Sequence, residues 1–166
     1  PLTGKSNELG DALLKAATLA LHDAYVGPDA PREAMITLIP KDTQASPTTA
    51  AKAARQVIEQ GAELIIGPLY TETTQTIAQV AKASNIPVIA LSNNHKISQK
   101  NVFIFGQSPE EETARILNYA MDNDLKKFAL LMPGNSYGQR VLTATQETLQ
   151  PRGSRLVHQE IFVRGI

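Results

Sequence analysis

AELIIGPLYTETTQTIAQVAKASNIPVIALSNN, residues 62–94, is the stretch that decides the fold. Two short apolar runs, 62–66 and 86–91, read as buried strands, and the segment between them reads as an amphipathic helix. Each run leads into a small polar loop, GPLYTETT after the first and SNNHKIS after the second. The pattern is a βαβ crossover with hydroxyl and amide groups at the carboxyl ends of its strands. In open α/β sheets those ends line the crevice where ligands bind. The helix that follows such a loop begins with unpaired N–H groups and a partial positive charge suited to an anion. These residue types favour gripping a small molecule over reacting with one.

Outward from this unit, strand and helix signals alternate. PLTG, residues 1–4, reads as a strand exit, and residues 7–25 as a helix with Leu9, Leu13, Ala16, Ala17, Ala20, Leu21 and Ala24 on one face. GPDAPRE, residues 27–33, breaks that helix, and residues 35–39 read as a strand leading into PKDT. Ser46 before Pro47 is an N-cap with a first-turn proline, opening an alanine-rich helix that Gly61 closes. Beyond the crossover, residues 102–105 form a further strand. Ser108 and Glu111 make an S-x-x-E capping box for a helix to about Asp122. Residues 128–132 are a strand ending in PGNSYGQ, a helix follows over 137–149, and residues 155–163 are the last strand. This alternation predicts an α/β fold, a doubly wound parallel sheet with helices on both faces. PLTG as a strand exit places the first, central strand upstream of residue 1, so the sequence reads as a fragment of a longer chain.

Composition narrows the function. The chain has 166 residues, 42% hydrophobic, enough for a real core. Sixteen basic residues balance sixteen acidic ones, which weighs against a nucleic-acid or anionic-membrane partner. There is no cysteine, which excludes disulfides and thiolate chemistry. No apolar run approaches the ~20 residues of a membrane-spanning helix.

Catalytic signals are weak. His22, His95 and His158 show no metal-ligand spacing, so no metal and no cofactor is expected. GKS, residues 4–6, would complete a P-loop only with glycines upstream of the sequence, which leaves a phosphotransferase as a minor alternative.

PLTG with its long helix, then ITLIPKDTQASPTTAAKAARQVIEQGAELIIGPLYTETTQTIAQVAKASNIPVIALSNN, resembles the amino-terminal lobe of type I periplasmic ligand-binding proteins, the leucine/isoleucine/valine-binding group. GPLY, ALSNN and NSYGQ look most like its penicillin-binding-protein activator branch. The resemblance implies two α/β lobes that close on a ligand, residues 1–125 forming the first and 126–166 the start of the second. It implies recognition without catalysis, a periplasmic location with the export signal removed, and a lipid anchor as an option in the full-length protein. It also implies that Tyr70, Thr71, Glu72, Thr73 and Thr74 match the carboxylate-holding segment, that Ser92, Asn93 and Asn94 form the next loop, and that Tyr137 beside Gly138 faces the cleft. Each residue has a plainer reading. Thr71 could cap the helix, Glu72 complement its dipole, the asparagines make turns, and Tyr137 pack beneath its loop. Lys41 and Asp42 could pair with each other or with a ligand.

Two functions follow. One is a receptor delivering an amino acid or similar small polar metabolite to the membrane component of an ABC importer. The other is an activator-type module that contacts a peptidoglycan synthase. A cleft plugged by the protein's own side chains would favour the second.

Overall fold

The computed structural model describes residues 1–26 and 36–163. They fall into two compact units, Pro1–Gly106 and Gln107–Ile166. The division stands earlier than the boundary near 125 read from the sequence, because the helix opening at Pro109 packs on helix Ser136–Leu149 of the second unit.

The first unit begins with a short 3-10 turn and helix α1 (Asn7–Ala24), followed later by α2 (Pro47–Glu59). Ser46 caps α2 as its sequence predicts, its hydroxyl accepting the Thr49 N–H at 3.4 Å. Gly61, at φ 86°, follows the helix end in the left-handed conformation that glycine adopts without a Cβ clash. The crossover is β1 (Ile65–Ile66), α3 (Thr71–Ala83) and β2 (Val88–Ala90), and β3 (Val102–Ile104) follows. The three strands pair in parallel in the order β1-β2-β3, with Ile65 beside Val88 and Val88 beside Val102. Because registered residues share a face, Ile65, Val88, Ala90 and Val102 bury one side of the sheet together with Ala50 and Ala54 of α2 and Ile77, Ala78 and Ala81 of α3. On the opposite side Ile66 and Phe103 stay 59% and 56% exposed.

Two expectations fail here. Residues 36–39 form no strand, since they make no ladder hydrogen bond among the described residues; Met35 and the loop 27–33 lie outside those residues. The apolar stripe of α1 is not core. Only Gly10 of that helix is buried, and Leu9 is 48% exposed. Helical periodicity reports what a helix could bury, and burial needs a facing surface, which the described residues do not supply. Gly10 is required for a different reason: a Cβ there would stand 1.5 Å from the Pro1 carbonyl oxygen.

The second unit runs α4 (Pro109–Asp122), β4 (Lys127–Pro133), α5 (Ser136–Leu149) and β5 (Arg155–Phe162). Strands β4 and β5 pair in parallel, with an irregularity between Phe128 and Ala129. Met132 is buried, and so are Leu142, Ala144 and Leu149 of α5. Ser108 caps α4 by accepting the Glu111 N–H at 3.3 Å, and its own hydroxyl donates to Glu110 at 3.0 Å; the reciprocal bond of a capping box, from the Ser108 N–H to Glu111, is not among the bonds of the described residues. Asn135 caps α5 through the Gly138 N–H at 3.1 Å. Gly138 is the glycine of NSYGQ because a Cβ would sit 2.0 Å from the Pro133 carbonyl oxygen.

A forked ion pair joins the two helices, Arg140 Nε and Nη2 donating to Glu110 Oε1 and Oε2 at 2.7 and 2.6 Å. The Arg140 guanidinium is the main cause holding the Glu110 carboxyl at about 2, below its ordinary value of 4.5. A depressed folded-state value gives stability that is complete above the unfolded value and is lost as pH falls from about 4.5 toward 2. Glu110→Gln is therefore expected to cost about 1 kcal/mol near neutral pH. In denaturant titrations repeated from pH 7 to 2, the variant's stability should decline less steeply than wild type's across that window.

Candidate ligand-binding site

The carboxyl end of the first sheet gathers the polar loops. GPLY is fixed first. Gly67, at φ 99°, precedes Pro68 across a cis peptide, its N–H donates to the Ile89 carbonyl at 2.8 Å, and the Leu91 N–H donates to the Pro68 carbonyl at 2.9 Å. The loop is thus laced to β2, and α3 must start beside the end of that strand.

Tyr70 is the residue before α3, and its side chain does not cap the helix. Thr71 is the first helical residue, so the reading of Thr71 as cap is corrected. The Tyr70 carbonyl accepts the Thr74 N–H and the Thr73 and Thr74 hydroxyls, at 2.9, 2.9 and 2.8 Å. Those hydroxyls face inward, and both threonines are buried. They support the helix start and do not line the rim. The N–H groups of Thr71, Glu72 and Thr73 precede the first intrahelical acceptor and receive no side-chain cap. In contrast α2, α4 and α5 are each capped by Ser46, Ser108 or Asn135, while α1, like α3, starts without a side-chain cap.

Ser92 stands next to this start. Its side chain is 2% exposed, and its Oγ lies 3.4 Å from Thr71 Oγ1 and accepts the Asn94 N–H at 3.2 Å. Asn94 in turn accepts the Lys96 N–H at 3.2 Å and caps the short 3-10 turn His95–Ile97, which is a turn-forming role. Asn93 is exposed beside it. The structure therefore brings Tyr70, Thr71, Ser92, Asn93 and Asn94 to one rim.

Asp42 has a structural task. Its carboxylate accepts the Leu2 N–H at 2.7 Å, the Gln44 N–H at 2.9 Å and the Thr3 hydroxyl, binding the chain start to the turn before α2. Partial burial acts to raise its pKa, but these hydrogen bonds outweigh that effect and hold it at about 2 against an ordinary 3.8. Gln44 and Ala45 in that turn have φ of 50° and 53°, a left-handed pair of non-glycine residues that the Asp42 bonds help to hold. No ion pair joins Lys41 to Asp42 among the described residues, so the expected surface pair does not form. Lys41 is half-buried. Tyr137 belongs to the second unit, in the first turn of α5, 44% exposed.

Sequence reading missed three contributors. Ser6 meets Tyr70, Oγ and Oη lying 2.6 Å apart. His95 Nε2 and Gly106 are joined through the glycine carbonyl at 2.7 Å, and the Gly106 N–H donates to the Ser92 carbonyl at 3.1 Å. These contacts span 64 and 11 residues, and no local motif announces them.

Taken together, the rim offers an open helix start, a buried serine and several neutral donors, a chemistry suited to an anion without a buried cation. The family model for periplasmic binding proteins matches residues 1–164. The chain belongs to the periplasmic binding protein family. Among curated relatives, a penicillin-binding protein activator LpoA from Photobacterium profundum is 30% identical over 98% of this chain and 25% of its own length. A Rickettsia prowazekii protein of uncharacterised function is 34% identical over 64% of this chain and 29% of its own length. The chain thus spans less than a third of either relative. Among solved structures, an ABC transporter solute-binding protein from Rhodopseudomonas palustris in complex with 3,4-dihydroxybenzoic acid superposes with TM-score 0.75 at 20% identity, covering 98% of this chain and 45% of that one. LpoA from Haemophilus influenzae gives 0.65 at 22% identity, covering 98% and 28%. At these identities the structures share the fold.

Asp42→Ala should leave the sheet intact and release the turn. Amide hydrogen exchange at Leu2 and Gln44 is expected to speed up at least about tenfold, with little change at Val88. Unchanged exchange at both amides would show that Asp42 does not hold the two loops.

Proposed function

We propose that this chain is the solute-recognition part of a periplasmic binding protein that holds a small carboxylate-bearing metabolite, such as an amino acid, for delivery to an ABC importer. The observation that carries the reading is the start of α3, the one helix of the crossover, left without a side-chain cap beside buried Ser92. A ligand carboxylate there would take the N–H groups of Thr71, Glu72 and Thr73, with Thr71 Oγ1 and Ser92 Oγ as flanking hydroxyls. Glu72 sets a limit, because its own anion in the first turn competes for the same dipole and disfavours ligands of high negative charge. Units Pro1–Gly106 and Gln107–Ile166 correspond in this reading to the first lobe and the beginning of the second. The chemistry is binding, without catalysis, and no described helix is long and apolar enough to cross a membrane.

A second reading has its own support. LpoA proteins recur among the sequence relatives, and part of the rim is already occupied by the chain itself, with Ser6 on Tyr70 and Asn94 on Ser92. In that reading the fold contacts a peptidoglycan synthase in the periplasm and the cleft is vestigial.

Calorimetry on the full-length protein against amino acids and small carboxylates separates the two. The solute reading expects a saturable ligand, bound about ten- to a hundredfold more weakly by Thr71→Val and by Ser92→Ala, in line with the loss of one charge-assisted hydrogen bond each. Absence of any saturable ligand, together with co-purification of a peptidoglycan synthase, would overturn it in favour of the activator.

A further inference from the structure

We infer that His95 is a positioning residue: with Gly106, it fastens the rim loop that carries Ser92 to the place where the chain leaves the first unit. This inference deepens the recognition site proposed above and rests on that reading for its purpose, though not for its geometry.

Gly106 is the last residue of the first unit, and Ser108, the cap of α4, stands two positions further on. Both polar backbone atoms of Gly106 are held by the loop after β2. Its N–H donates to the Ser92 carbonyl at 3.1 Å, and its carbonyl accepts from His95 Nε2 at 2.7 Å. Facing a carbonyl, Nε2 must carry the proton, and imidazole and imidazolium alike can supply it. The close approach demands glycine, since a Cβ at this position would stand 2.4 Å from the Ser92 oxygen and 2.9 Å from the Asn93 nitrogen.

His95 is itself well anchored. It opens the 3-10 turn that Asn94 caps, and Asn94 is tied by its N–H to the Ser92 hydroxyl. At the far end of the loop the Ser98 hydroxyl donates to the Val102 carbonyl at 3.1 Å, anchoring it on β3. Ser92 thus stands beside the proposed ligand with its hydroxyl and grips the exit residue with its carbonyl. Hinge motions between compact units are absorbed by a few loop or element-terminal residues. With both backbone groups of Gly106 held, the last residue of the first unit is fixed to the loop after β2. A ligand that settles Ser92 also stiffens the loop that sets the near end of the hinge.

The test uses the full-length protein and needs no ligand for its first arm. Residues 1–166 contain no cysteine, so with any cysteine elsewhere in the full-length protein replaced by serine, Gln79→Cys in the first unit and Glu147→Cys in the second provide sites for paired spin labels. Pulsed dipolar spectroscopy is expected to show a broader inter-unit distance distribution for His95→Ala than for wild type, with amide exchange at Gly106 faster by about tenfold. His95→Gln, whose side-chain amide can donate to the same carbonyl, should recover most of the wild-type width. Gly106→Ala, which forces the Ser92 carbonyl away, should broaden the distribution as His95→Ala does. His95 is exposed, so its variants should keep the wild-type circular dichroism and melting temperature.

A wild-type distribution already as broad as that of His95→Ala would overturn the inference. So would faster exchange at Gly106 without any change in width, which would make the bond local. In a second arm, any solute found by calorimetry should narrow the wild-type distribution more than that of His95→Ala. If no solute binds but the alanine variant still broadens, the transport reading fails and the positioning role stands.

Discussion

Everything at the proposed site depends on the parallel register of β2. Pairing Val88 with Ile65 on one side and Val102 on the other fixes where each of the three strands runs out. Parallel strands place all their carboxyl ends on one edge, and each following loop emerges there. Tyr70, Ser92 and Gly106 are far apart in sequence and meet only because of this register. A slip of one residue would reverse every side chain of β2, burying Ile89 in place of Val88 and separating the Ser92 hydroxyl from the start of α3.

The parts of the fold that were legible in the sequence are those specified by local physics. The crossover 62–94 announced itself by two apolar runs around a helical period, and the caps Ser46 and Ser108 sit where the hydroxyl must meet the third N–H of a helix. Strand ends were less legible: Ala62 and Leu91 have the right composition, but only Ile65–Ile66 and Val88–Ala90 find ladder partners. The α1 stripe and residues 36–39 misled for a shared reason. Composition declares which surface could be buried, whereas burial is decided by a partner elsewhere in the chain.

The same division separates the site residues. Thr71 and Ser92 could be placed on one rim from topology alone, since each follows a strand of one parallel pair. Whether a hydroxyl points outward could not be read, and Thr73 and Thr74 illustrate why. In a run of three threonines near a helix start, two turn back onto the Tyr70 carbonyl and one faces the next loop. Asp42 is a further case. Its residue type suits ligand contact equally well, and only the tertiary position of Leu2 and Thr3 assigns it to holding the chain start.

How much the rim's internal bonds favour binding depends on which groups they use. A donor engaged by its own chain is lost to a ligand, but a loop held in its bound conformation spares the ordering cost that binding otherwise carries. Here the two effects fall on different atoms. The internal bonds occupy the Tyr70 hydroxyl and the Asn94 side-chain amide oxygen, while the first N–H groups of α3 remain uncapped. The self-contacts therefore stiffen the frame and leave the anion-seeking element open. A rim closed against ligands would have placed its available serine on that helix start, as Ser46 and Ser108 do on α2 and α4; Ser92 instead accepts the Asn94 N–H, keeps its hydroxyl proton to donate, and stands beside the helix without covering it.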